Sequence, residues 1–128
     1  MRYLGIDYGT KRIGFAVGDD DRMIAFPRDV MQGKKAALDY VDKMIDREGV
    51  QKVVMGIPVR HGGEEGDLAR DIRAFTKEVA EKFGIDVVFQ NEIFSTKAIQ
   101  QGTVARSKTD AASAALILQS YLDGQKGV

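Results

Sequence analysis

The sequence predicts an α/β fold: a mixed five-stranded sheet with helices on its faces, in the order βββαβαβα. Three observations lead there. The first third of the chain holds short apolar runs broken by Gly and Asp, with no helical period. The remainder alternates apolar stripes of helical spacing with short buried runs such as Val53-Val54-Met55-Gly56-Ile57. Two glycines, Gly49 and Gly84, stand directly after two of those stripes, as helix stops.

The first run, Tyr3-Leu4-Gly5-Ile6-Asp7, ends in an acid, and Gly9-Thr10-Lys11-Arg12 reads as a turn. Ile13 to Gly18 forms a second strand, closed by Asp19-Asp20-Asp21. Two short runs joined by a Gly-containing turn make an antiparallel hairpin. Met23-Ile24-Ala25-Phe26 is read as the third strand, with Pro27 near a strand end or a sheet edge. Leu38, Val41, Met44 and Ile45 then share one helical face. Val53–Ile57 follows as a buried strand, and Pro58 to Gly66 as a loop rich in Gly and charge. Leu68, Ile72, Phe75, Val79 and Phe83 mark the second helix, Ile85 to Phe89 the fifth strand. A weak helical segment is expected from Thr96. The last helix starts near Thr109-Asp110, runs to about Asp123, and is apolar on nearly every side, as for a helix packed in the core. Strands that return through helices make parallel, right-handed crossovers.

With 128 residues the chain is expected to be one domain spanning 1–128. Hydrophobic residues make up 44% and charged residues 30%, which excludes a fully disordered or fibrous chain. Nineteen Lys and Arg balance nineteen Asp and Glu, so no global field attracts polyanions. Contact with nucleic acid must come from a local basic patch or from metal ions bridging acids to phosphate. The absence of Cys excludes disulfides, thiolate zinc sites and cysteine nucleophiles. Arg2 interrupts the N-terminus before any long apolar run, so no secretory signal is expected. The longest apolar stretch falls well short of the ~20 residues a membrane span needs. A cytoplasmic protein without membrane contact is the expectation.

Three acids stand where apolar elements begin or end: Asp7 after the first strand, Glu92 after the fifth, and Asp110 at the start of the last helix. A carboxylate in such a place is costly unless paired, hydrogen-bonded or metal-bound. Strand ends of open sheets are also where active sites gather. Three carboxylates without Cys or His beside them suit hard cations, Mg²⁺ or Mn²⁺. Two such ions about 4 Å apart clamp the attacking and leaving oxygens of a phosphodiester. Each acid has a plainer alternative: Asp7 as the opening of a turn, Glu92 as a solvated loop acid, Asp110 as a helix N-cap. Gly9, Thr10, Lys11 and Arg12 combine backbone amides, a hydroxyl and two cations, which suits a phosphate; the alternative is an ordinary hairpin tip. Arg60, Lys97, Arg106 and Lys108 are further candidates to line a groove, and His61 lies in a Gly-rich loop that could fold over a substrate.

The stretch Gly5-Ile6-Asp7-Tyr8-Gly9-Thr10-Lys11-Arg12-Ile13-Gly14 resembles the opening motif of the YqgF (RuvX) family. Gly56-Ile57-Pro58 followed by Gly62-Gly63-Glu64-Glu65-Gly66 is similar to that family's Gly-Leu-Pro loop. Asn91-Glu92-Ile93-Phe94-Ser95-Thr96 stands where the family has Asp-Glu-Arg-Leu-Ser/Thr-Thr, and Asp110 to Tyr121 is similar to its C-terminal helix. The resemblance implies an RNase H-like fold and a nuclease. Family members are described as Holliday junction resolvases and as nucleases processing the 5′ end of the small-subunit ribosomal RNA precursor. It implies that Asp7, Glu92 and Asp110 are catalytic and bind the metal, with Asp7 bridging two ions. Thr96 joins Gly9, Thr10, Lys11 and Arg12 as substrate-binding. The implied partners are RNA or branched DNA, and ribosomal or transcription factors. The chain departs from the pattern at Asn91 and Ile93, which replace an acid and an Arg, and in a short 97–109 segment. Two other readings stay open: a non-catalytic nucleic-acid-binding factor, and an actin/sugar-kinase-type nucleotide binder. The latter needs two such domains and a second phosphate loop.

Overall fold

The computed structural model describes residues 1–58, 66–91 and 109–126. The strands are β1 (Arg2–Tyr8), β2 (Arg12–Asp19), β3 (Phe26–Gln32), β4 (Val50–Ile57) and β5 (Asp86–Asn91). The helices are α1 (Lys34–Glu48), α2 (Asp67–Phe83) and α3 (Thr109–Lys126). The order is the expected βββαβαβα, and the strands lie as β3-β2-β1-β4-β5. β1, β2 and β3 form the antiparallel meander. β4 and β5 add in parallel on the other side of β1, each reached through a helix.

Side-chain alternation along the strands divides the core in two. Leu4, Ile6, Ile13, Phe15, Val53 and Met55 face α1 and α2. Tyr3, Ala16 and Val54 face the other way, against Ala114, Ile117, Leu118 and Leu122 of α3. The larger cluster is centred on Phe15 and Phe75, each no more than 1% exposed. Burial of such a ring contributes about 2–3 kcal/mol. Phe15 meets Tyr40 edge-on at 4.4 Å between centroids, and the Tyr40 hydroxyl donates to Asp29 at 2.7 Å, tying α1 to β3. Gly49 and Gly84 end α1 and α2 in the left-handed conformation, at φ 70° and 61°.

The third strand departs from expectation. Met23, Ile24 and Ala25 are not part of it; β3 begins at Phe26 and continues through Pro27 to Gln32. The backbone of 23–25 is held by a side chain instead of a ladder. Gln119 of α3 accepts from the Ala25 amide at 2.9 Å and donates to the Met23 carbonyl at 3.0 Å. Met23 itself sits at φ 57°. Pro27 is tolerated because β3 is a sheet edge, and the register shifts beside it so that Arg28 bulges out of the pairing. β4 starts at Val50 rather than Val53, because the Gly49 turn delivers the chain straight into pairing with Arg2. β5 runs two residues past Phe89, and α3 continues to Lys126. α3 buries one face only: Ala111, Ser113, Ala114, Ile117, Leu118 and Leu122 are buried, whereas Asp123 to Gln125 are exposed. The expected helix from Thr96, and the loop between Pro58 and Gly66, lie outside the described residues. No helix among the described residues is long and apolar enough to cross a membrane.

Candidate active site

Asp7 is a strand residue rather than the start of a turn, since it pairs directly with Gly14 across β1 and β2. Its face follows from the alternation. Tyr3 and Gly5 lie on the α3 side, so Asp7, two residues on, does too. It is half-buried. Residues opposed across an antiparallel pair have Cα atoms about 4.5–5.5 Å apart, so whatever touches Gly14 is a near neighbour of Asp7.

What touches Gly14 is the main chain of Asp110. A Cβ at position 14 would overlap the Asp110 carbonyl. One turn later α3 rests on Gly5, where a Cβ would lie 2.8 Å from the Leu118 Cβ and 2.9 Å from the Ala114 carbonyl oxygen. Glycine at both positions lets a helix lie directly on the strand backbone, and the first turn of α3 reaches the end of β1 that carries Asp7. Gly5 and Gly14 are therefore site residues that reasoning from chemistry-bearing side chains missed. The signal was present as glycine inside two otherwise apolar strands.

Asp110 lies within the first turn of α3, after Thr109 has opened the helix, so it is not simply the N-cap. It is an acidic residue at the positive end of the helix dipole. Arg12, the first residue of β2, forms an ion pair with Asp110, its Nε 3.1 Å from Oδ2. Half of the Arg12 side chain is exposed, so this pair contributes no more than about 1 kcal/mol to stability. A cleft of about 680 Å³ opens beside it, lined by Gly9, Thr10, Lys11, Arg12, Gln32 and Asp110. All four residues expected in the turn thus meet Asp110 at one opening. Gln32 joins them because it pairs with Arg12, a consequence of β3 lying further along the chain than the sequence indicated. Asp7 does not line the cleft. On the opposite face Tyr8 packs on Phe75 at 4.9 Å, and burial, reinforced by the Asp71 carboxylate, pushes its phenol pKa up.

Glu92 and Thr96, with Arg60, His61, Lys97, Arg106 and Lys108, lie outside the described residues. Among the described residues no group of three or more His, Asp or Glu is close enough to hold a metal ion. Asn91, which precedes Glu92, ends β5 paired with Ile57 of β4. The donors that are placed, Asp7 and Asp110, are carboxylates, and such oxygen donors fit a hard divalent cation rather than zinc.

The chain matches the family model described as "RuvX: Holliday junction resolvase" over residues 1–124. It belongs to the RuvX family. Among RuvX relatives, a protein of Anaeromyxobacter sp. (strain Fw109-5) named "Putative pre-16S rRNA nuclease" is 38% identical, covering 98% of each chain. One of the same name from Anaplasma marginale is 33% identical, over 98% of this chain and 87% of the relative. Among solved structures, Thermus thermophilus RuvC in complex with a Holliday junction substrate superposes with a TM-score of 0.65 at 15% identity, covering 99% of this chain and 96% of that one. The fowlpox virus resolvase bound to Holliday junction DNA gives 0.58 at 15% identity, over 98% of this chain and 99% of the other. These likenesses establish the RNase H-like fold that the RuvX resemblance implied.

Proposed function

We propose that residues 1–128 act as a single cytoplasmic nuclease domain that hydrolyses phosphodiester bonds in structured nucleic acid with the help of Mg²⁺ or Mn²⁺. The substrate is the 5′ end of the 16S ribosomal RNA precursor or a branched, junction-like nucleic acid. The observation that carries this reading is the close seating of α3 on Gly14, which sets Asp110 beside the strand position of Asp7 and at the mouth of a cleft rimmed by Thr10, Lys11 and Arg12. Family membership and the names of the relatives support it.

In this reading Asp7 on the central strand β1, Asp110 and Glu92 would be the residues that hold the cations. Metal ions there would lower the pKa of an attacking water and stabilise the departing oxygen. The chain's own residues do the rest. Backbone amides at Gly9 and the Thr10 hydroxyl take phosphate oxygens; Lys11 and Arg12 neutralise the strand entering the cleft. Asp110, fixed by its helix, lines the same opening. Thr96 completes the phosphate contacts. The test is cleavage of a four-way DNA junction and of precursor ribosomal RNA in parallel, with each metal and with chelator. Metal-dependent cutting that disappears in Asp7→Asn upholds the reading; a folded protein that cuts neither substrate favours a non-catalytic binding factor.

A further inference from the structure

We propose that the groove between Arg22, Phe26 and Arg28 is a second nucleic-acid contact, taking one unpaired nucleotide of the substrate with its base on the Phe26 ring and its phosphate among the arginines. This rests on the nuclease reading above and concerns how the same substrate is held away from the cleft at Asp110.

The groove has a volume of about 330 Å³ and opens at the start of β3. Arg2, Arg22 and Arg28 line it together with Asp19, and Val17 and Phe26 supply its apolar part. Phe26 is 45% exposed, although Val17, its partner across the strands, packs against the core. One exposed ring is ordinary on a protein surface. A ring among three guanidiniums is a different surface, and the acids around it do not cancel the charge. Glu48 Oε1 is shared, 3.0 Å from Arg28 Nη1 and 4.0 Å from Arg2 Nη1. Asp19 accepts from the Arg22 amide at 2.7 Å, and among the described residues the Arg22 guanidinium has no ion pair. Asp20 is engaged elsewhere, by the Tyr3 hydroxyl and the Met1 ammonium, and Asp21 does not line the groove. Three arginines against Asp19 and Glu48 leave one positive charge in excess.

Arginines beside an aromatic ring suit unpaired nucleic acid. Every base has a π-face that stacks on a ring, and a guanidinium takes phosphate oxygens in a fork. A strand from another protein is disfavoured at this edge, because Pro27 has no amide hydrogen and the register shift beside it interrupts the ladder. The position also suits a substrate that reaches the cleft. Phe26 and Gln32 are the two ends of the edge strand β3, and Gln32 lines the cleft. Six residue steps set them about 20 Å apart, the rise of about six stacked nucleotides. Arg2 and Val17 belong to the α1 side of the sheet and Asp110 to the α3 side, so the tail passes round the β3 edge between the two openings.

The experiment uses the full chain and a single-stranded RNA of roughly twelve nucleotides, twice the span between the openings, in chelator so that nothing is cut. Fluorescence anisotropy gives the affinity of the wild type, Phe26→Ala, Phe26→Tyr, Arg22→Ala and Lys77→Ala, with folding checked by thermal unfolding. Lys77 is an exposed cation of α2 that lines neither opening. Binding should weaken about five- to tenfold in Phe26→Ala and hold in Phe26→Tyr, which keeps the ring. Arg22→Ala should reduce the salt slope by about 0.7, and Lys77→Ala should change nothing. Wild-type affinity in folded Phe26→Ala and Arg22→Ala, or an equal loss in Lys77→Ala, overturns the groove. So does RNA binding that ignores these variants while they abolish binding of a polyglutamate peptide, which would assign the groove to an acidic protein segment. Cleavage that still depends on Asp7 beside such a result leaves the nuclease reading standing. Groove-dependent RNA binding by a folded chain that cuts neither substrate upholds the groove and overturns that reading alone.

Discussion

Replacing Gly14 by Ala adds one methyl group at the point where β2 supports the first turn of α3. The new Cβ would overlap the Asp110 carbonyl, which is helix backbone and cannot swing aside. To restore ordinary contact the N-terminus of α3 must retreat by roughly 1 Å or more, and overpacking of this kind costs about 1–3 kcal/mol. At about 4 °C per kcal/mol for a chain of this size, Tm should fall by about 4–12 °C. Activity should fall further than stability, because the retreat moves Asp110 away from Asp7, and a displacement of about 1 Å in a catalytic group costs on the order of a hundredfold. Thermal unfolding, followed by cleavage assayed well below the lowered Tm, separates the two effects. A Gly14→Ala protein with wild-type Tm and wild-type cleavage would refute the reasoning, since α3 would then not be resting on β2 as described.

Two further outcomes follow from other parts of the fold. Gly124 lies in the exposed last turns of α3 with nothing within 4 Å of an added methyl, so Gly124→Ala should stabilise by about 0.5–1 kcal/mol in denaturant unfolding, against the loss at position 14. The Tyr3 phenol is pushed up to about 12 by burial and by its 2.6 Å hydrogen bond to Asp20. Its contribution is complete below pH 10, where folded and unfolded chains both keep the proton. It is then lost towards pH 12 at up to about 1.4 kcal/mol per pH unit, because only the unfolded chain has released that proton. The stability gap between wild type and Tyr3→Phe should therefore narrow between about pH 9 and 11.5 in unfolding titrations; a gap independent of pH would contradict this.

Most of the sheet and all three described helices were legible in the sequence because their signals are local. A helical stripe such as Ile72, Phe75 and Val79, stopped at Gly84, needs no distant partner to be recognised. The third strand is misplaced by sequence reasoning because its true determinant is remote. Met23-Ile24-Ala25 has a strand's composition, but its backbone is satisfied by Gln119, 94 residues beyond Ala25. The same distinction applies to the site. Asp7, Asp110 and the turn from Gly9 to Arg12 stand out by residue type and position. The features that bring them together, Gly14 beneath Asp110 and Arg12 against its carboxylate, are contacts between segments about a hundred residues apart, and no local pattern reports them. Gln32 had no signal at all, since its place at the cleft depends on the register of β3 with β2.

The most direct measurement is the single-turnover rate of phosphodiester cleavage in saturating Mn²⁺ for the wild type and for Asp7→Asn, with folding checked by thermal unfolding. If the β1 aspartate helps to hold the cations that drive cutting, the Asn variant should fold normally and lose at least about a hundredfold in rate. Equal rates in the two folded proteins would contradict the account at its centre.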